Sequence, residues 1–200
     1  MKKRNSWYKC VSEIFDYFGI NRITTLNLKG CLKKYVNKHL HLKYKELWKN
    51  NLFNDNKKSN CSNKLRTYRL FKNNFTFEPY LHWGNYDKKR LITKFRISSH
   101  QLEIERGRYR NIPASQRICK LCNLEVEDEL HFLLECPKSN KIRKEILEQL
   151  ENKFNNLKSL DNTSKFVWLF SAEDNYAYGT LYILLTKLYT FRCEALSGNI

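Results

Sequence analysis

The sequence predicts a mainly α protein, in which helical bundle-like segments surround a small zinc knuckle of three cysteines and one histidine. Wherever apolar residues recur regularly they are three or four positions apart, the period of an α-helix, and the alternation of β-branched residues typical of strands is sparse. The second observation is the spacing C-x2-C-x8-H-x4-C, formed by Cys119, Cys122, His131 and Cys136. We divide the 200 residues into an N-terminal helical segment, a basic helical segment, the knuckle and C-terminal helices, at 1–56, 57–114, 115–137 and 138–200.

The N-terminal segment contains two amphipathic patterns. Residues 5–19 place apolar side chains on one helical face, and Gly19 is expected to end that helix because glycine tolerates the left-handed conformation found at helix ends. Residues 29–50 repeat the pattern. The polar stretch 54–63 follows, and its composition predicts a connection to the next segment.

The basic segment is predicted to contain two further helices. Residues 63–78 are expected to form a helix with an apolar underside and a basic outer stripe. The members of that stripe are Arg66, Arg69 and Lys72. Residues 86–98 are expected to form a second basic helix, and Gly107 is expected to permit a turn before the knuckle.

Three thiols and one imidazole suit the tetrahedral coordination that Zn²⁺ adopts when a protein supplies all four ligands. Two other interpretations remain open, namely cysteines that merely fill a core and a redox C-x2-C pair, although no βαβ pattern surrounds the pair. The run Glu127-Asp128-Glu129 is predicted to begin a short helix, where acidic side chains interact favourably with the positive end of the helix dipole. Glu127 either orients the His131 imidazole or faces water.

After the knuckle, apolar periodicity predicts helices over residues 138–155, 164–171 and 175–196. The net charge of +17 indicates a polyanionic partner, nucleic acid before an anionic membrane. Residues 57–110 alone carry 14 basic and 4 acidic side chains, whereas residues 111–140 carry 3 basic and 5 acidic ones. The phosphate contacts are therefore expected before the knuckle, not on it.

The residues predicted to contact nucleic acid are cations of residues 57–110 together with one aromatic side chain, Tyr109, which is expected either to stack on a base or to fill a core. They are Arg66, Arg69, Lys72, Lys88, Lys89, Arg90, Lys94, Arg96, Arg106, Arg108, Tyr109 and Arg110.

The seven cysteines are expected to be reduced, because the basic N-terminus is followed by no apolar signal-peptide core. We therefore expect a nuclear or cytoplasmic protein that is not secreted. No apolar run approaches the ~18–20 residues needed to span a bilayer. The cysteines outside the knuckle are predicted to be packing residues, and they are Cys10, Cys31, Cys61 and Cys193.

Several stretches of this sequence resemble the C-terminal region of non-LTR (LINE-type) retrotransposon polyproteins, just beyond the reverse transcriptase. They are Lys64-Leu-Arg-Thr-Tyr-Arg-Leu-Phe-Lys, Lys88-Lys-Arg-Leu-Ile-Thr-Lys-Phe-Arg-Ile-Ser-Ser-His, Leu102-Glu-Ile-Glu-Arg-Gly-Arg-Tyr, Arg117-Ile-Cys-Lys-Leu-Cys and Glu127-Asp-Glu-Leu-His-Phe-Leu-Leu-Glu-Cys-Pro. The resemblance covers about residues 63–145, and the four knuckle positions match one for one. It implies a zinc-binding region that binds nucleic acid and supports reverse transcription.

The sequence departs from that family in its catalytic parts. It lacks the paired aspartates of a polymerase centre, which needs clustered carboxylates to hold two metal ions. The acids that might serve a following nuclease, Asp161, Glu173 and Asp174, have no lysine in the expected place and are interpreted as surface acids. We therefore expect a non-enzymatic binder of RNA or DNA with no small-molecule substrate. The alternative is a protein-interaction scaffold remnant, whose basicity reflects only a lysine- and asparagine-rich coding sequence.

Overall fold

The computed structural model describes residues 6–20, 32–53 and 64–198, and these ranges are mainly α-helical, as predicted. The chain divides into two compact units, residues 1–54 and 55–200. The first unit contains α1 (Ser6–Tyr17) and α2 (Leu32–Phe53). Gly19 adopts a φ of +66° two residues after the end of α1, as expected of a residue that ends a helix. The predicted connection at 54–63 lies outside the described residues.

The second unit contains the remaining helices. They are α3 (Tyr68–Phe71), α4 (Tyr86–Arg96), α5 (Glu103–Tyr109), α6 (Asn140–Lys153), α7 (Asn162–Ser171) and α8 (Asn175–Ser197). Side chains cap three of their N-termini, since Asn85, Asp161 and Asp174 accept hydrogen bonds from backbone N–H groups in the first turns of α4, α7 and α8. The helices predicted over residues 86–98, 138–155, 164–171 and 175–196 therefore form close to their predicted bounds.

The core of the second unit is built around α8, which packs against α4, α6 and α7. Aromatic rings join these helices to other segments. Phe71 of α3 stacks on Phe170 of α7 with ring centroids 5.1 Å apart, and Phe95 of α4 stacks on Phe132 at 5.5 Å. Each fully buried side chain of this size contributes about 1.5–3 kcal/mol of transfer free energy. Leu181, Leu184, Leu185 and Leu188 supply the α8 face of this core.

The helix predicted over residues 63–78 is wrong. Residues 64–67 form turns, α3 lasts for four residues, and the chain then becomes irregular before a 3-10 turn at Pro79–His82. Lys72 leaves the helix with extended backbone angles, and its Nζ donates to the carbonyl and hydroxyl oxygens of Thr76, each at 3.0 Å. The two asparagines that follow Lys72 favour turns over helix, which explains the early end.

Gly107 does not form the predicted turn, because it lies inside α5. A Cβ atom at this position would lie 2.6 Å from Cγ of Arg117, which is closer than two carbon atoms can approach. Arg117 is buried there and donates to the carbonyl oxygens of Ile104 and Ile112. Glycine is required at position 107 because another side chain passes against the backbone.

The described cysteines form no disulfide. Cys10 and Cys193 are exposed, so the packing role predicted for them is wrong. Cys31 and Cys61 lie outside the described residues. Among the helices that the structure describes, none has the length and apolar character needed to cross a membrane.

Candidate metal centre

Cys119, Cys122, His131 and Cys136 converge at one point in the second unit. Each offers one ligand atom, and these atoms all lie within 4.8 Å of one another. The sulfurs of Cys119 and Cys136 are 3.9 Å apart, and the Cys122 sulfur is 3.4 Å from Nε2 of His131. A tetrahedral ion with metal–sulfur bonds of about 2.3 Å has ligand atoms about 3.8 Å apart. The cluster could therefore hold a metal ion.

A short hairpin positions the first two cysteines. Ile118 and Val126 form an antiparallel bridge, and the N–H of Cys119 donates to the carbonyl oxygen of Glu125 at 2.8 Å. The turn between them is tight because the N–H of Asn123 donates back to the carbonyl oxygen of Cys119, and Asn123 adopts a φ of +58°. Asparagine is among the few non-glycine residues that tolerate this left-handed conformation. The turn brings Cys119 and Cys122 to the same side.

A π-helical turn over His131–Glu135 positions the other two ligands. It is closed by the N–H of Cys136, which donates to the carbonyl oxygen of His131 at 2.7 Å. In an α-helix, residues five apart point about 140° away from each other, at about 100° per residue. One π turn instead brings residues i and i+5 nearly above one another, and such turns are frequent at functional sites. This departure from an α-helix therefore brings His131 and Cys136 to the same side.

Hydrogen bonds within the cluster shift the pKa values of its members. The hydrogen bond between the two buried thiols lowers the pKa of Cys136 and raises the pKa of Cys119. Backbone N–H groups also reach both sulfurs, from Cys122 and Leu121 to Cys119 and from Lys138 to Cys136. The bond to Cys136 raises the pKa of His131 to about 9. Protons and a divalent cation therefore compete for the same sulfur and nitrogen atoms.

Glu127 does not orient the imidazole and does not face water, so both predicted roles are wrong. Its carboxylate is fully buried and accepts two hydrogen bonds from Arg192, at 2.6 and 2.7 Å, and one from the N–H of Glu103 at 2.7 Å. The sulfur of Cys119 lies 3.8 Å away. The carboxylate beside Nδ1 of His131 is instead that of Glu125, at 3.3 Å. Glu125, His131 and Glu135 also form a second group of potential ligands that shares this imidazole.

The neighbouring acids have unexpected roles as well. Only Asp128 caps the turn, by accepting a hydrogen bond from the N–H of His131 at 2.8 Å. Glu129 is buried and accepts hydrogen bonds from four side chains, which are Arg66, Thr67, Ser98 and His100. Burial raises the pKa of Glu129, but the bonds from His100 and Ser98 and the charge of Arg66 outweigh it and lower the pKa to about 2.

Three cations assigned to nucleic-acid contact are used inside the protein. Arg66 bridges Glu105 and Glu129, at 3.0 and 2.6 Å. Arg96 and Lys72 are buried beside Glu78, at 2.6 and 3.3 Å, and Arg96 also donates to the carbonyl oxygen of Phe170. The basic outer stripe predicted from Arg66, Arg69 and Lys72 is therefore wrong, since Arg66 pairs with buried acids, Lys72 is itself buried and Arg69 is half-buried.

Three other cations converge on the carboxylate of Glu103, beside the knuckle. Lys120 Nζ lies 3.3 Å from Glu103, and Arg106 and Arg110 each approach it to 3.8 Å. We call Arg106, Arg110 and Lys120 the basic patch. Lys120 was not predicted, because the knuckle is acidic overall. The available signal was its place directly after Cys119, in the turn between the first two cysteines of the cluster.

The remaining predicted residues lie at the surface of α4 and α5. Arg108 pairs with Glu105 at 2.9 Å and lies over the ring of Tyr109 at 4.7 Å. Tyr109 is 75% exposed, so it does not fill a core. On α4, Arg90 and Lys94 are exposed, whereas Lys88 and Lys89 are half-buried.

Comparisons of the chain with protein-family models, curated proteins and solved structures found no match. The cluster and the charged surface are therefore interpreted from their own geometry.

Proposed function

We propose that this protein is a non-enzymatic, zinc-stabilised nucleic-acid-binding module, similar in role to the region beyond the reverse transcriptase of LINE-type retrotransposons. The observation that carries this proposal is the position of the basic patch. Its three cations surround one carboxylate on the turn and helix that flank the cysteine–histidine cluster. A metal that fixes the Cys119–Cys122 turn would also fix the position of Lys120.

Zinc is the metal that suits this set of ligands. Thiolates are soft ligands, and three of them with one imidazole favour tetrahedral Zn²⁺ over Mg²⁺ or Ca²⁺, which prefer oxygen. Four protein ligands leave no open position for a substrate, so the ion would have a structural role. It would join the hairpin at residues 117–127 to the π turn. The hairpin has little apolar burial of its own, whereas Phe132, Leu133 and Leu134 of the π turn lie in the core.

Metal analysis tests the first half of the proposal. Protein purified without chelator is expected to contain one zinc per chain, measured by plasma mass spectrometry. The variant C119S/C122S should lose the zinc and the near-ultraviolet circular dichroism of the second unit. The matched control C10S/C193S also removes two thiols, but both are exposed and distant in sequence from the cluster, so its zinc content should be unchanged. Absence of bound metal in the parent protein would contradict the zinc assignment.

The basic patch is suited to phosphate because its charge exceeds that of its partner. Glu103 can neutralise only one cation, whereas the three patch cations surround it and Arg192, which is hydrogen-bonded to Glu127, also lies 3.9 Å from it. The side chains of all three patch cations are 36–48% exposed, so a phosphate oxygen can reach them without displacing packed side chains. Arginine forks and lysine both bind phosphate through charge-assisted hydrogen bonds.

Salt-dependent binding tests the second half. Fluorescence anisotropy should detect binding to labelled RNA or DNA, with affinity falling as salt rises. Each lost phosphate contact changes the log–log slope by about 0.7 on a single strand or 0.9 on a duplex, so R106Q/R110Q/K120Q should flatten it by about 2. The control K141Q/K144Q/K158Q removes the same charge from exposed lysines on and after α6, and its slope should change by less than half as much.

If both triple variants behave alike, the patch has no special role, and the total charge alone explains binding. If the parent protein binds neither RNA nor DNA at low salt, the scaffold interpretation replaces this one. The absence of catalysis is part of the proposal. It is supported by Asp161 and Asp174, whose carboxylates accept the capping hydrogen bonds of α7 and α8.

A further inference from the structure

Two tyrosines are far more exposed than the other aromatic side chains that the structure describes as exposed. Tyr86 is 74% exposed and Tyr109 is 75% exposed, while the next value is 58%, for Phe77. Each lies at the end of a helix, Tyr86 as the first residue of α4 and Tyr109 as the last of α5. Neither ring contributes to the core.

Each exposed ring also has its own arginine. The guanidinium carbon of Arg90 lies 5.9 Å from the Tyr86 ring centroid, and that of Arg108 lies 4.7 Å from the Tyr109 ring centroid. The arginine limits the freedom of the ring through a cation–π contact and places a positive charge beside its face. An aromatic face beside a cation is the combination that binds a base by stacking and the adjoining phosphate by charge.

The two pairs are connected through one face of α8. At one end, Nζ of Lys88 lies 5.3 Å from the Trp83 ring and 5.5 Å from the Tyr182 ring. Tyr189 is seven residues further along α8, so it lies on the same face about 10 Å away.

The far end of this face is next to α5. The Tyr189 ring contacts Phe95 of α4 at 6.2 Å. Arg192, three residues after Tyr189 on α8, lies 3.9 Å from Glu103 of α5, and Arg106 approaches the same carboxylate to 3.8 Å. Arg106 lies one helical turn before Tyr109 on α5. The basic patch and the start of α4 are therefore adjacent to the same side of α8.

We propose that the nucleic acid bound by this protein is single-stranded, and that Tyr86 and Tyr109 each stack on an unpaired base. The inference rests on the proposed function. Paired bases in a duplex expose their edges in the grooves and hide their faces in the stack, so a duplex cannot use either ring. Single strands offer free faces, and stacking tolerates any base because every base has a π face.

Binding of a 12-nucleotide single strand and of the same sequence as a duplex tests this inference. The parent protein should bind the single strand at least tenfold more tightly at 150 mM salt. Y86A and Y109A should each weaken single-strand binding about 5- to 100-fold while leaving duplex binding within twofold. Y86F and Y109F keep the rings and should bind like the parent. The control Y176A removes another exposed tyrosine with a cation over its ring, Lys153 at 4.0 Å, and should also bind like the parent.

The salt dependence separates stacking from charge. Because stacking releases few counterions, Y86A and Y109A should lower affinity at every salt concentration without changing the slope, unlike the charge variants of the basic patch. If single strand and duplex bind equally, or if Y86A and Y109A match Y176A, the stacking inference is overturned and the proposed function remains. If neither nucleic acid binds, the proposed function fails first. Zinc content and circular dichroism of each variant establish that it is folded.

Discussion

The buried pair of Glu127 and Arg192 joins the C-terminal helix to the candidate metal centre. Both side chains are almost completely excluded from water, with exposures of 1% and 3%, and two hydrogen bonds of 2.6 and 2.7 Å connect them. Replacing Arg192 with methionine keeps most of the apolar volume but leaves a buried carboxylate without its cation. Loss of one partner from such a pair costs about 3–5 kcal/mol. We therefore expect R192M to reduce the free energy of unfolding by this amount.

The double variant E127M/R192M distinguishes an uncompensated charge from lost packing. Removing both partners eliminates the buried charge, but the N–H of Glu103 loses the acceptor that now lies at 2.7 Å. An unsatisfied buried N–H costs about 1–3 kcal/mol, so the double variant should be more stable than R192M. Urea unfolding followed by circular dichroism, with zinc at a fixed concentration, measures both values.

R192M should also weaken zinc binding. Without Arg192, the negative charge of Glu127 lies 3.8 Å from the Cys119 sulfur and opposes formation of a thiolate there. Loss of a partner outside the ligand shell costs about 10- to 100-fold in metal affinity, which competition with a chromophoric chelator can measure. R192K retains the positive charge but not the two hydrogen bonds that the guanidinium donates to Glu127. Its zinc affinity should therefore lie between those of the parent and R192M. Parent-like stability of R192M, or a double variant less stable than R192M, would refute this reasoning.

Two further substitutions test the backbone around the centre. G107A should destabilise the protein by about 1–3 kcal/mol, because the added Cβ would overlap the buried Arg117 side chain. Thermal unfolding measures this loss, and a melting temperature equal to that of the parent would mean that Arg117 can move aside. N123A should lower the free energy of unfolding by about 1–2 kcal/mol and weaken zinc binding, because alanine tolerates the φ of +58° poorly. N123G should have neither effect, and equal stability of the two variants would show that this turn is not strained.

Patterns in the sequence were enough to predict the helical class, most helix positions and the four residues of the cysteine–histidine cluster. These features depend on local information. Apolar residues at helical spacing define a face regardless of what covers it, and capping residues such as Asp161 and Asp174 act on neighbouring N–H groups. The ligand spacing was equally readable, because two thiols in one turn and an imidazole five residues before a third thiol are short-range patterns.

The partner of each charged side chain depends on contacts between distant parts of the chain. Sequence alone gave Arg66 and Arg96 the same description as Arg90, yet the first two pair with acids 63 and 18 positions away and Arg90 is exposed. Removing a cation from water costs free energy that a partner must offset, either an acid, as beside Arg96, or carbonyl oxygens, as around Arg117. Such pairings depend on how the helices pack, which the order of residues does not reveal. For the same reason, Arg192 could not be connected with a knuckle that ends 55 residues before it, until α8 was placed against Glu127.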